Sequence, residues 1–192
     1  MKIFVVNGYS ETTMDDIALS AGLSKGAVYH HFSSKRKLFL ALIDFWEESF
    51  LPKFYQRDYK NLSASKVLKD LAAEILNIFN NKKFIFLAEL EIWSLANRDK
   101  EVRIRTKTLY NKMLYHLESI FKNAAENGEY KNVDPRMAAM AVMTSMQGII
   151  WFSIFEHNSF TAKEYIDEVM TFIISGFEKT TKVNKSIEEA NV

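Results

Sequence analysis

The stretch from Thr12 to Phe39, TTMDDIALSAGLSKGAVYHHFSSKRKLF, constrains this chain more than any other. Its caps spell two short helices with a glycine turn between them. Thr13 stands where a helix N-cap belongs, and Asp16 places a carboxylate near the positive end of the helix, a variant of the capping box. Ile17, Ala18 and Ala21 follow at helical spacing, and Gly22 falls where a left-handed C-terminal cap is expected. Leu23, the apolar residue of the turn, is expected to plug the space between the helices. Ser24 caps the second helix, with Val28 and Phe32 at i, i+4 on its inner face. Lys25, Gly26, Ala27, Tyr29 and His30 remain on or near the outer side. Two helices joined by a short turn containing Gly form the unit that sets a helix into the DNA major groove. Small residues let the backbone approach base edges, Ala can touch a thymine methyl, and Lys reaches guanine.

A basic step follows at once. Ser33 or Ser34 caps a third helix whose first turn carries Lys35, Arg36 and Lys37. Cations at a helix N-terminus oppose the macrodipole. A phosphate seated on the free backbone amides, with Lys beside it, would turn that penalty into a binding site. No acidic residue occurs from Ser24 to Ile43, although the net charge of the 192-residue chain is only +1. That balance argues against a general nucleic-acid coat protein and for one local reading surface.

The residues Gly8-Tyr9, Thr12-Thr13, Ile17-Ala18, Ala21-Gly22, Ser24-Lys25-Gly26, Tyr29, His31-Phe32, Ser34-Lys35 and Leu38-Phe39 stand at fixed spacing without gaps. In this the segment from Gly8 to Phe39 resembles the DNA-binding part of the tetracycline-repressor (TetR) family of bacterial transcription regulators. The resemblance implies base or phosphate contacts from Lys25, Gly26, Ala27, Tyr29 and His30, and phosphate contacts from Thr13, Ser24 and Lys35. His31 matches a position near the DNA backbone, and a packing role suits it equally. Family members usually begin with a basic arm and a longer first helix. Here only MKIFVVN precedes Gly8, so that helix is expected to hold at most two turns, with either a shortened start or weaker phosphate contacts. Ile3, Phe4 and Val6 are expected to pack on the helix pair.

Two prolines, six glycines and long periodic runs favour an all-α chain. The expected architecture is an N-terminal helix-turn-helix domain, residues 1–50, followed by a helical ligand-sensing and dimerisation domain, residues 51–192. A connecting helix from Lys35 to Phe50 carries Leu38, Phe39, Leu42, Ile43 and Trp46 as its stripe, and Pro52 to Asn61 marks a junction. Ser63 or Ser65 opens the next helix, which Asn80-Asn81 is expected to interrupt. Phe84 to Leu95 is apolar nearly all round, hence buried. A long helix from about Lys100 ends at Gly128. Asp134-Pro135 opens the next, cap then proline. Thr161 to Glu164 is a capping box for the last, and Thr181 to Val192 is expected to fray.

From Met137 to Phe155 there is no charged residue, long enough for a membrane span. Interspersed Thr144, Ser145, Gln147, Gly148 and Ser153 favour instead a helix buried on two sides, by its own core and by a partner subunit, with no membrane. The last two long helices are therefore expected to build a homodimer through a four-helix bundle, as the resemblance also implies.

The sensor segment from Glu89 to Gly148 resembles the same family more loosely. Phe79, Phe86, Glu89, Trp93, Tyr110, Met113, Met143, Gln147 and Trp151 are the candidate lining of an effector pocket, and Glu89 and Glu91 could meet a cationic ligand. His116 and His157 carry no signal of their own. No Cys, no HExxH-like spacing, no Gly-rich phosphate loop and no nucleophile paired with a base are present, so neither metal, cofactor nor catalytic residues are expected. The expected function is a cytoplasmic, ligand-responsive repressor that binds a pseudo-palindromic double-stranded DNA operator as a dimer and is released by a small apolar or amphipathic effector. The alternative is a helical small-molecule-binding protein with a degenerate DNA reader.

Overall fold

The computed structural model describes residues 1–55, 62–130, 133–155 and 159–178, and those residues are helical almost throughout. Helix α1 (Lys2–Glu11) precedes the pair α2 (Met14–Ala21) and α3 (Lys25–His31). Gly8 breaks α1 at φ 75°, ψ 160°, a conformation that costs a Cβ-bearing residue dearly, leaving residues 2–7 ahead of the break. Past it, Glu91 accepts a hydrogen bond from the freed Tyr9 N–H at 3.0 Å.

The pair folds as its caps dictate. Thr13 Oγ1 accepts from Asp16 N–H at 3.1 Å, while the Asp16 carboxylate accepts from Thr13 N–H at 2.8 Å. Gly22 is left-handed at φ 67°, and Ser24 Oγ accepts from Ala27 N–H at 3.1 Å. Ile17, Ala18 and Val28 close against Phe4 and Phe39. Phe4 and Phe39 meet edge to face at 5.2 Å, as do Tyr9 and Phe39 at 4.9 Å. Two expectations fail here. Leu23 is 53% exposed and plugs nothing, because its N–H is tied back to the Ala18 carbonyl at 2.9 Å on the rim of the turn. Val6 is 78% exposed, while Phe4 with Ile3 and Tyr9 braces the pair.

Ser34, rather than Ser33, caps α4 (Lys35–Tyr55), accepting from Lys37 N–H at 3.2 Å. The core of the helix pair does not stop at α4. It runs on through Ile92 of α6 (Phe84–Ala96) and Val102 and Leu109 of α7 (Lys100–Glu126). Helix α5 (Ala64–Lys82) passes straight through Asn80-Asn81, contrary to expectation. The Asn81 amide donates to the Asn77 carbonyl at 2.8 Å, within the helix, and Ile78 is held in the core. The break comes at Lys83. Helix α6 is less enclosed than its composition promised. Ile85, Ala88, Glu89 and Ile92 are buried, but Trp93 is 37% exposed.

The main core lies among α5, α7, α8 (Pro135–Gln147) and α10 (Ala162–Phe177). Leu68, Val142 and Ile149 are fully buried in it. Each such side chain stabilises the fold by about 1.5–3 kcal/mol through burial alone. Asp134 caps α8 ahead of Pro135, and Thr161 with Glu164 forms the capping box of α10.

The uncharged run divides in three: α8, a 3-10 turn Gly148–Ile150, and the short α9 (Trp151–Ile154). Its length and composition would suffice for a membrane span. One face, with Ala138, Ala139, Val142, Met143, Met146 and Ile149, is buried in the core. The opposite face leaves Met137, Met140, Trp151 and Ile154 exposed. Within one chain this helix is covered on one side only. His157 and Thr181 to Val192 lie outside the described residues.

Candidate functional site

Helix α3 presents its outer side to solvent. Lys25, Gly26, Tyr29, His30 and His31 are exposed, Ala27 is half-buried, and Thr13 and Ser24 are exposed at the two helix starts. Lys25 Nζ pairs with Asp15 at 2.8 Å in full solvent, where such pairs are weak and easily exchanged. A methyl added at Gly26 would meet only Ser24 Oγ, at 4.0 Å. The chain's own packing therefore does not require glycine there.

The basic turn is placed differently from what its sequence suggests. Lys35 Nζ donates to the carbonyls of Tyr9 at 2.7 Å and Ser10 at 2.8 Å, and lies 4.6 Å from the Tyr9 ring centre. It thus closes the C-terminal end of α1, where a cation complements the helix dipole. Arg36 turns towards the start of α7. Its Nε and Nη2 donate to both oxygens of Asp99 at 2.5 and 2.9 Å, and Nη1 donates to Glu101 at 2.8 Å. Asp99 simultaneously caps α7, accepting from the Glu101 and Val102 amides. The Arg36 guanidinium, followed by the Val102 amide, holds this carboxyl well below the usual carboxylate range. Two more ion pairs, Arg105 with Asp44 and Lys112 with Glu47, tie α4 to α7 further along. Lys37 remains exposed. These long-range partners could not be read from local sequence.

Deeper in the body, Trp46, Leu71, Ile75, Ile78, Ile85, Phe86, Glu89, Met113, His116, Leu117, Met143, Met146 and Gln147 line a cavity of about 90 Å³. One water needs roughly 10–15 Å³. Of the sequence-nominated lining, Phe86, Glu89, Met113, Met143 and Gln147 face it. Trp93 and Trp151, with Gln147 again, line a neighbouring open groove alongside Thr144, Ile154 and Phe155. Phe79 stands behind Phe86 at 5.8 Å between rings. Sequence reasoning missed Trp46 and His116. Trp46 read as one more member of the α4 stripe, and the turns of α7 alone do not tell which residues face a void.

A directed hydrogen-bond chain crosses between groove and cavity. Trp93 Nε1 can only donate, and it gives its proton to Tyr110 Oη at 2.6 Å. Tyr110 in turn donates to Glu89 Oε1, and Gln147 Nε2 reaches the same oxygen at 3.3 Å. Burial pushes the Glu89 carboxyl up, partly offset by these two donors. Burial, followed by the Glu89 charge, pushes the Tyr110 phenol far above its ordinary value, so it stays a donor. Glu91, the other nominated carboxylate, is not part of the cavity lining, and its Oε2 accepts from Tyr9 N–H at the α1 break.

Comparison with known proteins decides what this arrangement belongs to. Residues 1–42 match the model of the bacterial regulatory proteins of the tetR family, and residues 85–177 match the BetI-type transcriptional repressor C-terminal model. The chain belongs to the tetR family. It is a ligand-responsive transcription regulator of all-α fold, and the family is non-enzymatic. This tetR-family chain is 27% identical over 164 residues to the nucleoid occlusion factor SlmA of Shewanella sediminis, spanning 84% of this chain and 82% of that protein. A putative transcriptional regulator from Saccharomonospora viridis, solved with choline, shares the fold at TM-score 0.82 and 14% identity, covering 93% of each chain. The regulator FadR of Bacillus subtilis, solved with stearoyl-CoA, does so at TM-score 0.77 and 17% identity, covering 91% of this chain and 94% of that one.

Proposed function

We propose that this regulator represses transcription as a homodimer, setting α3 of each subunit into successive major grooves of a pseudo-palindromic operator. The observation that carries the reading is the outer side of α3: exposed Lys25, Tyr29 and His30 around a Gly26 that packing leaves free to be larger. Thr13, Ser24 and His31 flank that surface and would meet phosphate. Lys35 would act chiefly by holding α1, with its charge still beside the backbone. Residues 1–50 form the reader and 51–192 the sensing and dimerisation part. The half-sites would lie about 34–36 Å apart, or multiples of that.

The dimer would form on the uncovered face of α8 and α9 together with α10. Met137, Met140 and Trp151 on the former and Phe172 on α10, which is 78% exposed, offer the apolar surface for a four-helix bundle. The effector would enter the cavity below Trp46. That residue belongs to α4, whose first turn holds Arg36 on α7, so a ligand that displaces α4 would change the separation of the two readers. Coupling of this kind changes DNA affinity by roughly 5–150-fold. The two solved relatives bind chemically unrelated molecules, so the fold leaves the ligand class open. A cytoplasmic location follows from the need to reach DNA.

DNase I footprinting on the DNA upstream of its own coding region tests the reading. Two symmetric protected patches one helical turn apart are expected. Protection no different from that on random duplex would overturn it.

A further inference from the structure

Among the described residues, the cavity wall holds one carboxyl group and neither Lys nor Arg. Glu89 is 8% exposed, on an apolar helix, among Leu71, Ile75, Ile85, Met113 and Met143. A carboxylate in such surroundings is costly unless it is paired or protonated. Its partners are neutral: the hydroxyl of Tyr110 and the amide of Gln147, both converging on Oε1. Oε2 accepts no hydrogen bond among the described residues. Among the described lining residues the other titratable group is His116, six residues beyond Tyr110 on α7, about 9 Å along its axis. Trp46 and Phe86 add aromatic surface to the wall, which attracts positive charge.

Resting on the reading that this cavity is the effector site, we propose that its ligand is an organic cation: the positive charge sits against Glu89 Oε2, and an apolar body of modest size fills the space between Trp46, Phe86 and the three methionines, Met113, Met143 and Met146. The arrangement is prepared for this. Trp93 fixes Tyr110 as a donor, and Tyr110 and Gln147 hold Oε1 in place, so the carboxylate is oriented before the ligand arrives and only its second oxygen is left for it. Anionic ligands meet an uncompensated like charge. Neutral ligands of the same shape gain the apolar contacts alone.

Calorimetric titration of the full chain with phenyltrimethylammonium and with its neutral carbon isostere, tert-butylbenzene, tests this without DNA. The cation should bind at least tenfold more tightly than the isostere. In Glu89→Gln, which keeps the shape and an oxygen for Tyr110, the cation should lose at least tenfold while tert-butylbenzene is held within about threefold. Equal binding of the pair by the unmodified chain would overturn the proposal whether or not the variant folds. So would undiminished cation binding by Glu89→Gln, or tighter binding of benzenesulfonate than of the cation. Cation binding that leaves operator affinity unchanged would support the cation assignment and contradict the effector-site reading, which separates the two.

Discussion

Gly26 concentrates the case for the reader in one residue. Glycine inside a helix costs up to about 1 kcal/mol relative to a good helix former, and here no neighbour requires its small size. Gly26→Leu is therefore expected to keep or raise the melting temperature while abolishing sequence-specific DNA binding. Thermal unfolding and an operator titration on the same variant check both halves, and a loss of stability together with binding would mean the glycine serves the fold. Glu89 makes the opposite kind of statement. Its folded-state carboxyl lies above the ordinary value of 4.5, so the folded protein holds that proton more tightly than the unfolded chain does. Its contribution is present below that value and is lost as pH rises through the folded-state value. His116 lines the same cavity. Glu89→Gln should therefore melt higher than the parent at pH 8, with the difference closing towards pH 4; a difference independent of pH would contradict the burial argument.

At the scale of elements, ion pairs join α4 to α7. Arg36 grips Asp99 with two donors at the start of α7, directly after the reader. Arg36→Ala should leave ligand binding in the cavity intact and shrink the effect of that ligand on DNA affinity towards none. Parallel titrations of ligand and operator decide it, and unchanged coupling would remove this joint from the mechanism. The α8 break is equally specific. A Cβ at Gly148 would stand 2.0 Å from Tyr165 Oη, which itself donates to the Ser145 carbonyl at 2.9 Å. Gly148→Ala should cost about 1–3 kcal/mol by overpacking, measured by denaturant unfolding. A neutral result would show that α10 yields freely.

These elements also mark what a sequence can disclose. The helix pair was legible because each cap acts within a few residues: Thr13 on Asp16, Gly22 on α2, Ser24 on Ala27. Lys35 and Arg36 were legible as charges but not as contacts. Their partners lie on α1 and on α7, and only the folded chain brings them together. Asn80-Asn81 misled because a side-chain amide bonding within the helix looks, in sequence, like a turn signal. The break at Gly148 was hidden for a similar reason, since the tyrosine that occupies its vacant Cβ position comes from α10. Of the cavity, Phe86, Glu89, Met113, Met143 and Gln147 could be nominated as apolar or polar oddities on core helices, whereas Trp46 belongs to the wall only because α4 crosses it.

For the whole molecule, the reader core running into α6 and α7, the ion pairs from α4 to α7, and Trp46 at the cavity make reader and sensor one mechanical unit. An apolar face on α8, α9 and α10 stays exposed, and the proposed dimer would form there. The central claim is that the paired α3 helices recognise DNA sequence rather than merely its charge. Anisotropy titrations of the full chain, across a range of salt, against its own upstream DNA and a shuffled duplex of equal length test this most directly. Both affinities should fall with salt, and the upstream DNA should be preferred by roughly a thousandfold or more, with two chains per site. Equal affinities for the two duplexes would contradict it.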